Sequence, residues 1–218
     1  MLIRTGYIPI EKIFYKKVSG RLIFMTETYY NDNFKEFTGS TLNLDLSELY
    51  SRYIKYLKHG ARILDMGCGP GRDLLFFKQN GFSVSGIDNA GKFVNFAREY
   101  SGCSVSLMDF REVSFSEEFE GIWACASLLH LNKDELQNVL ERSVKALKPE
   151  GVFYMSFKYG SFEGIRNGRY FLFLDENAFR KIIKDINNIS ILEMWKTPDL
   201  RENRNNEYWL NVIVKKTS

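Results

Sequence analysis

The chain predicts an α/β fold: a doubly wound, mostly parallel, seven-stranded sheet with helices on both faces and an antiparallel last strand. Three observations carry this expectation. Short apolar runs alternate with helical stretches through the middle of the chain. A glycine-rich turn, MGCGPGR, joins the first such run to the first helix that follows it. Acids recur at the ends of the runs, at Asp65, Asp88 and Asp109, where ligands bind in open parallel sheets.

Length and composition set the limits. With 218 residues and 44% hydrophobic content, the chain reads as one globular domain with a sizeable core. Net charge is +3, from 30 basic and 27 acidic side chains, and selects no charged partner. No basic block could track a nucleic-acid backbone, so a nucleic-acid partner is unsupported. Cys68, Cys103 and Cys125 are scattered and form no CxxC, which indicates a reduced, cytoplasmic protein and no zinc site. No apolar run reaches transmembrane length, so no membrane partner is expected. The start is too broken by charge and proline to be a signal peptide. The 15% aromatic content reads first as a rich core and second as a substrate pocket. The expected assembly is a monomer or a homodimer.

The elements follow in order. Residues 1–24 are basic and aromatic without periodicity and read as an extension. Residues 25–218 form the domain: cap helices over 25–59, a cofactor-binding core over 60–157, then substrate-side loops and last strands over 158–218. From Leu42 the chain turns helical; Leu46, Leu49, Tyr50, Tyr53 and Leu57 share one face, and Gly60 stops the helix. Ile63 and Leu64 are a buried strand with Asp65 at its end, and a helix opens near Arg72 and Asp73 and runs to Gln79. Ser83–Ile87 is the second strand and ends at Asp88. Gly91–Tyr100 is helical with Phe93, Phe96 and Ala97 inward, and Val105–Leu107 is the third strand. Gly121–Ser127 reads as a continuous apolar strand of the sheet centre. Asn132 and Glu135 form a cap signal for a helix to Leu147, which Pro149–Gly151 ends. Gly151–Phe157 is the fifth strand, and a helix after Asp175 turns Phe179, Ile182, Ile183 and Ile186 inward. Ile189–Trp195 and Tyr208–Lys215 close the chain, and the Arg- and Asn-rich loop between them suits a hairpin.

A glycine-rich first turn with an acid about twenty residues on suits two kinds of cofactor. The dinucleotide fingerprint G-x-G-x-x-G/A needs a small residue where this chain has Arg72, so that reading fails on steric grounds. Asp65, Gly67, Gly69 and Gly71 in DMGCGPG instead resemble the first motif of the class I S-adenosylmethionine-dependent methyltransferase family, whose fold is Rossmann-like. The resemblance covers Gly60 to about Phe157. It implies that Asp65 and the glycine backbone sit by the methionine part of S-adenosylmethionine. Asp88, with Asn89 beside it in GIDNA, would take the ribose hydroxyls, since a carboxylate has acceptors for a vicinal diol. Asp109 and Phe110 in LMDF would meet the adenine, and Ala126 would line the sulfonium end. Cys68, between two glycines, fits a small space in the same turn. Arg72 could pair with the cofactor carboxylate, brace Asp65 or serve the helix start.

Methyl transfer is an in-line displacement in which the protein holds acceptor and methyl group in line. His130, in SLLHLN after the fourth strand, would stand near the methyl as acid, base or orienting residue, with a packed or capping role as the alternative. Adenine or cytosine amino methylation is unexpected, because Ala126-Ser127-Leu128-Leu129 replaces the N/D-P-P-Y/F motif of those enzymes. No cysteine cluster or acidic triad suggests a metal. The acceptor side would use Tyr29, Tyr30 and Phe34; Lys158 and Tyr159; Arg166, Arg169 and Tyr170; and Trp195, Asp199, Arg201, Arg204 and Trp209. Arginines near aromatics can clamp a carboxylate or phosphate beside an apolar body. The expected reaction is methylation at oxygen or nitrogen of a small acceptor that can be anionic. The rivals are methylation of an RNA such as tRNA and a non-catalytic cofactor-binding module.

Overall fold

The computed structural model describes residues 15–18, 21–24 and 26–217. Most of the expected extension over 1–24 lies outside the described residues. Within it, Tyr15–Val18 (β1) and Arg21–Phe24 (β2) pair as an antiparallel ribbon. Three short helices follow: Thr26–Asp32 (α1), Phe34–Thr41 (α2) and Ser47–Ile54 (α3). The expected helix from Leu42 is therefore α3 alone, and the preceding segment divides into two helices.

From Arg62 strands and helices alternate. In order they are Arg62–Met66 (β3), Arg72–Gln79 (α4), Ser83–Asp88 (β4), Gly91–Ser101 (α5), Ser104–Leu107 (β5), Phe119–Ala124 (β6), Lys133–Ala146 (α6) and Leu147–Lys158 (β7). A small hairpin comes next, Glu163–Arg166 (β8) with Arg169–Leu172 (β9), then Glu176–Ile183 (α7). Ile189–Pro198 (β10) and Tyr208–Lys216 (β11) complete the chain. The main sheet has seven strands in the order β10-β11-β7-β6-β3-β4-β5. β3 to β7 are parallel within it, while β11 runs antiparallel to both β7 and β10. The expected hairpin and antiparallel last strand are both present.

Side-chain alternation splits the core between the two faces. Ile63, Trp123, Tyr154 and Ile213 face α3 and α4 with Tyr50, Tyr53 and Phe77. Leu64, Ile122, Phe153 and Val212 face α6 and α7 with Leu136, Leu140 and Phe179. Trp123 stacks on Tyr154 with ring centroids 3.9 Å apart. The Asn132–Glu135 capping box opens α6 as expected, with Glu135 N–H donating to the Asn132 side chain at 2.9 Å.

Two boundaries differ from expectation. The strand expected over Gly121–Ser127 ends at Ala124, because Ala126 takes a left-handed φ of 53° and the chain turns into a 3-10 segment at Leu128–His130. That bend brings Ser127 Oγ to the Met66 carbonyl, 2.6 Å away, which continued strand geometry would not do. The fifth strand starts earlier than expected: Leu147 already pairs with Phe119, and 148–151 are absorbed as an irregularity with Glu150 at φ 68°. β3 is where the chain switches direction across the sheet, with β4 on one side and β6 on the other. The carboxyl ends of these strands open a crevice at that point.

Candidate active site

Gly67, Gly69 and Gly71 carry the chain from β3 to α4, all at positive φ (78°, 52° and 89°), a region that strains residues with a Cβ. Their surroundings differ. A Cβ on Gly67 would stand 2.5 Å from the Ser127 Cβ, so its bareness lets the β3 and β6 loops touch. A Cβ on Gly71 would meet Ala97 Cβ at 3.0 Å, so this glycine seats α4 on α5. Gly69 faces open space, its nearest neighbour being a Phe37 ring carbon at 3.9 Å. The space is a cavity of about 480 Å³, well sized for small molecules. Gly67, Cys68, Gly69, Asp88, Phe110 and Ala126 line it.

The acids gather nearby. Asp88 Oδ2 accepts from the Gly69 N–H at 2.9 Å and Oδ1 from the Ala90 N–H at 2.8 Å. Each oxygen keeps a further lone pair. Burial pushes the Asp88 carboxyl up to about 6, against these backbone donors. Asp65 is 1% exposed and its Oδ2 has no hydrogen-bond partner among the described residues. Burial, with the nearby charges of Asp73 and Asp88, holds the Asp65 carboxyl well above the usual range despite Arg72. Asn89 Nδ2 donates to Asp109 Oδ2 at 3.3 Å and Asp65 feels the charge of Asp88, so the acids of β3, β4 and β5 stand at one edge of the sheet, with Asp88 alone of the three lining the cavity.

Asp109 does not itself line the cavity. Its Oδ1 accepts from Arg111 N–H at 2.9 Å and caps the 3-10 turn that presents Phe110. Cys68 packs where Gly86 leaves room, and burial raises its thiol, which makes it a poor nucleophile.

Arg72 corrects one expectation. It braces no Asp65 oxygen; its Nε and Nη2 bind Asp73 at 2.5 and 3.0 Å, and Nη1 donates to the Thr41 carbonyl at 3.0 Å. Asp73 also accepts from the Tyr50 hydroxyl (2.5 Å) and Trp123 Nε1 (2.7 Å). Burial raises the Asp73 pKa, but Arg72, Tyr50 and Trp123 outweigh it and hold the carboxyl below its usual value. The pair joins the end of α2, α3 and β6 to the start of α4. A guanidinium so engaged has little left for a ligand carboxylate.

His130 lines the same cavity, and its Nδ1 lies 2.7 Å from the Tyr170 carbonyl. A carbonyl only accepts, so Nδ1 carries the proton and Nε2 accepts from the Tyr30 hydroxyl, also at 2.7 Å. Burial pushes the imidazole down to about 3 and Arg169 adds to it, against the Tyr170 bond. His130 is therefore neutral near pH 7. An acid role is closed, a base role is weak, and orienting Tyr30 is what remains. Arg169 Nη1 donates to the Tyr30 hydroxyl at 3.2 Å, and its guanidinium lies over the rings of Tyr29, Phe171 and Tyr30 at 4.1, 5.0 and 5.5 Å.

The remaining cations arrive already paired. Lys158 is buried and bonded to Asp199 and Glu207, with the Trp209 ring 4.3 Å away. Arg201 binds Asp199 at 2.6 Å and Arg204 binds Glu207 at 3.0 Å. Burial raises the Asp199 pKa, yet Arg201 and Lys158 outweigh it and keep this carboxyl ionised.

Several expected contacts are elsewhere. Tyr159 turns away and donates to Glu176 at 3.1 Å. Trp195 projects to the α3 side of the sheet, against Tyr154 and under Arg52. Tyr29 covers Arg169 without lining the cavity, and Phe34 packs on Phe93 and Phe96. Conversely, Phe37, Thr41, the 44–49 segment, Ser156 and Phe171 line the cavity without having been singled out. A signal for Phe37 did exist. Tyr30, Phe34 and Phe37 recur at helical spacing, and all three rings meet Phe93, at 5.9, 5.3 and 5.5 Å.

Residues 63–151 match a family model described as a methyltransferase domain. YqeM of Bacillus subtilis is 27% identical over 124 residues, half of each chain. A sterol 24-C-methyltransferase of Yarrowia lipolytica is 26% identical over 158 residues, 67% of this chain and 39% of that one. The chain thus spans half or less of the length of these curated relatives. Among solved structures, the Burkholderia thailandensis 1,6-didemethyltoxoflavin-N1-methyltransferase, with 1,6-didemethyltoxoflavin and S-adenosylhomocysteine bound, shares the fold. Its TM-score is 0.71 at 18% identity, over 94% of this chain and 95% of that one. Strand order and glycine turn agree with the family match: residues 63–151 resemble a methyltransferase domain, and the fold is that of S-adenosylmethionine-dependent methyltransferases.

Proposed function

We propose that the chain transfers a methyl group from S-adenosylmethionine to an oxygen or nitrogen of a small acceptor. The observation that carries this reading is the open face of Gly69 beside Asp88, in a small cavity whose wall also carries aromatic rings. The residues fit the cofactor. Bare main chain at Gly69 suits a close-lying ligand, and the spare lone pairs of Asp88 suit vicinal hydroxyls. Phe110 offers an apolar face to a purine, while Asp65, buried beneath the turn, stands outside the cavity lining. When bound, the cofactor supplies a methyl group made electrophilic by a positive sulfur.

What the chain's own residues contribute is position and exclusion of water. Asp73 is held by three donors and Asp199 by two cations, so neither is free to accept a proton. His130 is a weak base whose Nε2 is occupied. An acceptor that brings its own lone pair, as a neutral ring nitrogen or an oxyanion does, needs none of them. The cavity volume supports a small molecule over an RNA. Among the described residues no helix is long and apolar enough to cross a membrane. The free cysteines support a reducing, cytoplasmic setting.

The test is incubation with methyl-labelled cofactor and a cell extract divided into small-molecule, RNA and protein fractions. Label should enter the small-molecule fraction. Label confined to RNA would overturn the acceptor class, and label nowhere would overturn transfer itself.

A further inference from the structure

The cavity's cations differ in one respect. Arg72 pairs with Asp73, Arg111 with Asp109 and Glu135, and Lys158, Arg201 and Arg204 share Asp199 and Glu207. Arg169 lines the same cavity, and no carboxylate pairs with it among the described residues. Its Nη1 bonds a neutral phenol, and its buried Nε has no hydrogen-bond partner. A half-buried guanidinium without a counter-charge is unfavourable. Three ring faces offset part of that penalty, but a ring face does not satisfy an N–H. The arrangement leaves a planar, charged donor facing an anion it does not yet have.

The support behind Arg169 is fixed. Tyr30 receives the Arg169 Nη1–H and donates to His130, which in turn donates to the Tyr170 carbonyl. A neutral imidazole is what this chain of bonds needs, since an imidazolium would repel Arg169. Apolar rings line the cavity with Arg169: Tyr30, Phe37, Phe93, Phe171 and Trp209.

Resting on the methyltransferase reading, we propose that the acceptor is an aromatic carboxylate and that Arg169 is its anion receptor. The guanidinium fork matches a carboxylate through two donors, and the rings accept the apolar body. Such an acceptor needs no general base where the carboxylate is the methylated group, which agrees with Asp73, Asp199 and His130 being already engaged.

The probes are benzoate and its neutral counterpart benzamide, titrated by NMR into the wild-type chain, Arg169→Gln and Arg169→Lys, with and without S-adenosylhomocysteine. The wild type should bind benzoate about tenfold or more tightly than benzamide. Arg169→Gln should erase that preference and Arg169→Lys should keep part of it, since a point charge remains. Benzoate binding no better than benzamide, or a preference that survives in Arg169→Gln, overturns the inference. Unchanged affinity of both variants for S-adenosylhomocysteine establishes that they are folded. Failure of the wild type to bind S-adenosylhomocysteine, with the benzoate preference intact, would refute the cofactor reading and leave the anion receptor standing.

Discussion

Two parts of the cavity lining are built from different materials. The part around the glycine turn, where the cofactor is proposed to lie, is main chain: Gly67 and Cys68 donate their N–H groups to the Ile87 carbonyl at 2.8 and 3.1 Å, and Asp88 answers Gly69. Strand register fixes these contacts, so they hold as long as β3 and β4 pair. The part around Arg169, where the acceptor is proposed to lie, is side chain on side chain. Tyr30 meets His130 across 100 residues of sequence, and Arg169 meets Tyr30 across 139. Rings and ion pairs of that kind can change one residue at a time without disturbing the sheet. Under the proposed function, a chain built this way keeps its cofactor chemistry while its acceptor changes.

Mutations around the glycine turn should therefore be severe and mutations around Arg169 selective. The largest effect is expected from Asp73→Ala, which strands the buried Arg72 and removes the acceptor of Tyr50 and Trp123. Breaking one partner of a buried pair costs about 3–5 kcal/mol, and urea unfolding should show it. A loss below about 1 kcal/mol would mean that this network is not what holds the floor of the cavity. Gly69→Leu comes next. Its backbone strain is about 1–2 kcal/mol, but the new side chain enters the cavity. Calorimetry should show S-adenosylhomocysteine affinity lower by about a hundredfold, or ~2.7 kcal/mol. Retained affinity would mean that the ligand lies elsewhere.

The same division of materials explains what the sequence discloses. Strands three to seven, the glycine turn and the acids at the strand ends are local patterns, and each appears in the structure within a few residues of its expected place. Ala126 marks the limit: nothing in GIWACAS shows that the strand must stop so that Ser127 can reach Met66. The proposed acceptor part is legible only as a set of residue types. That Lys158 would be neutralised by Asp199 and Glu207, or that Trp195 would face away, depends on how β10 and β11 pair. The hairpin of β8 and β9, which delivers Arg169, left no signal in the alternation because its burial pattern does not alternate.

A finer test compares affinity across pH. Burial lifts the Asp88 carboxyl to about 6 in the free chain. Ligand hydroxyls donate to the ionised form, so binding is strongest above pH 6 and weakens as protonation removes the acceptors. S-adenosylhomocysteine affinity should fall by roughly tenfold per pH unit below that point. Asp88→Asn should bind about ten- to hundredfold more weakly at pH 8, from the loss of charged hydrogen bonds. It should also lack the decline, and a decline that persists in Asp88→Asn would assign it to another group.

The smallest effect belongs to the part around Arg169, where burial acts on a base instead of an acid and so has the opposite sign. His130 titrates near 3 in the folded chain, below its ordinary 6.5. Between those values the unfolded chain binds more protons, so His130 contributes stability that is complete above pH 6.5 and is lost progressively as pH falls toward 3. His130→Gln cannot take up that proton. The variant should be less stable than wild type at pH 7, where the Tyr30 bond is disturbed, and the gap should narrow by pH 5. Urea midpoints at the two pH values measure it. A gap that stays constant would show that the imidazole titrates alike in both states, and the neutral Tyr30–His130 support behind Arg169 would lose its basis.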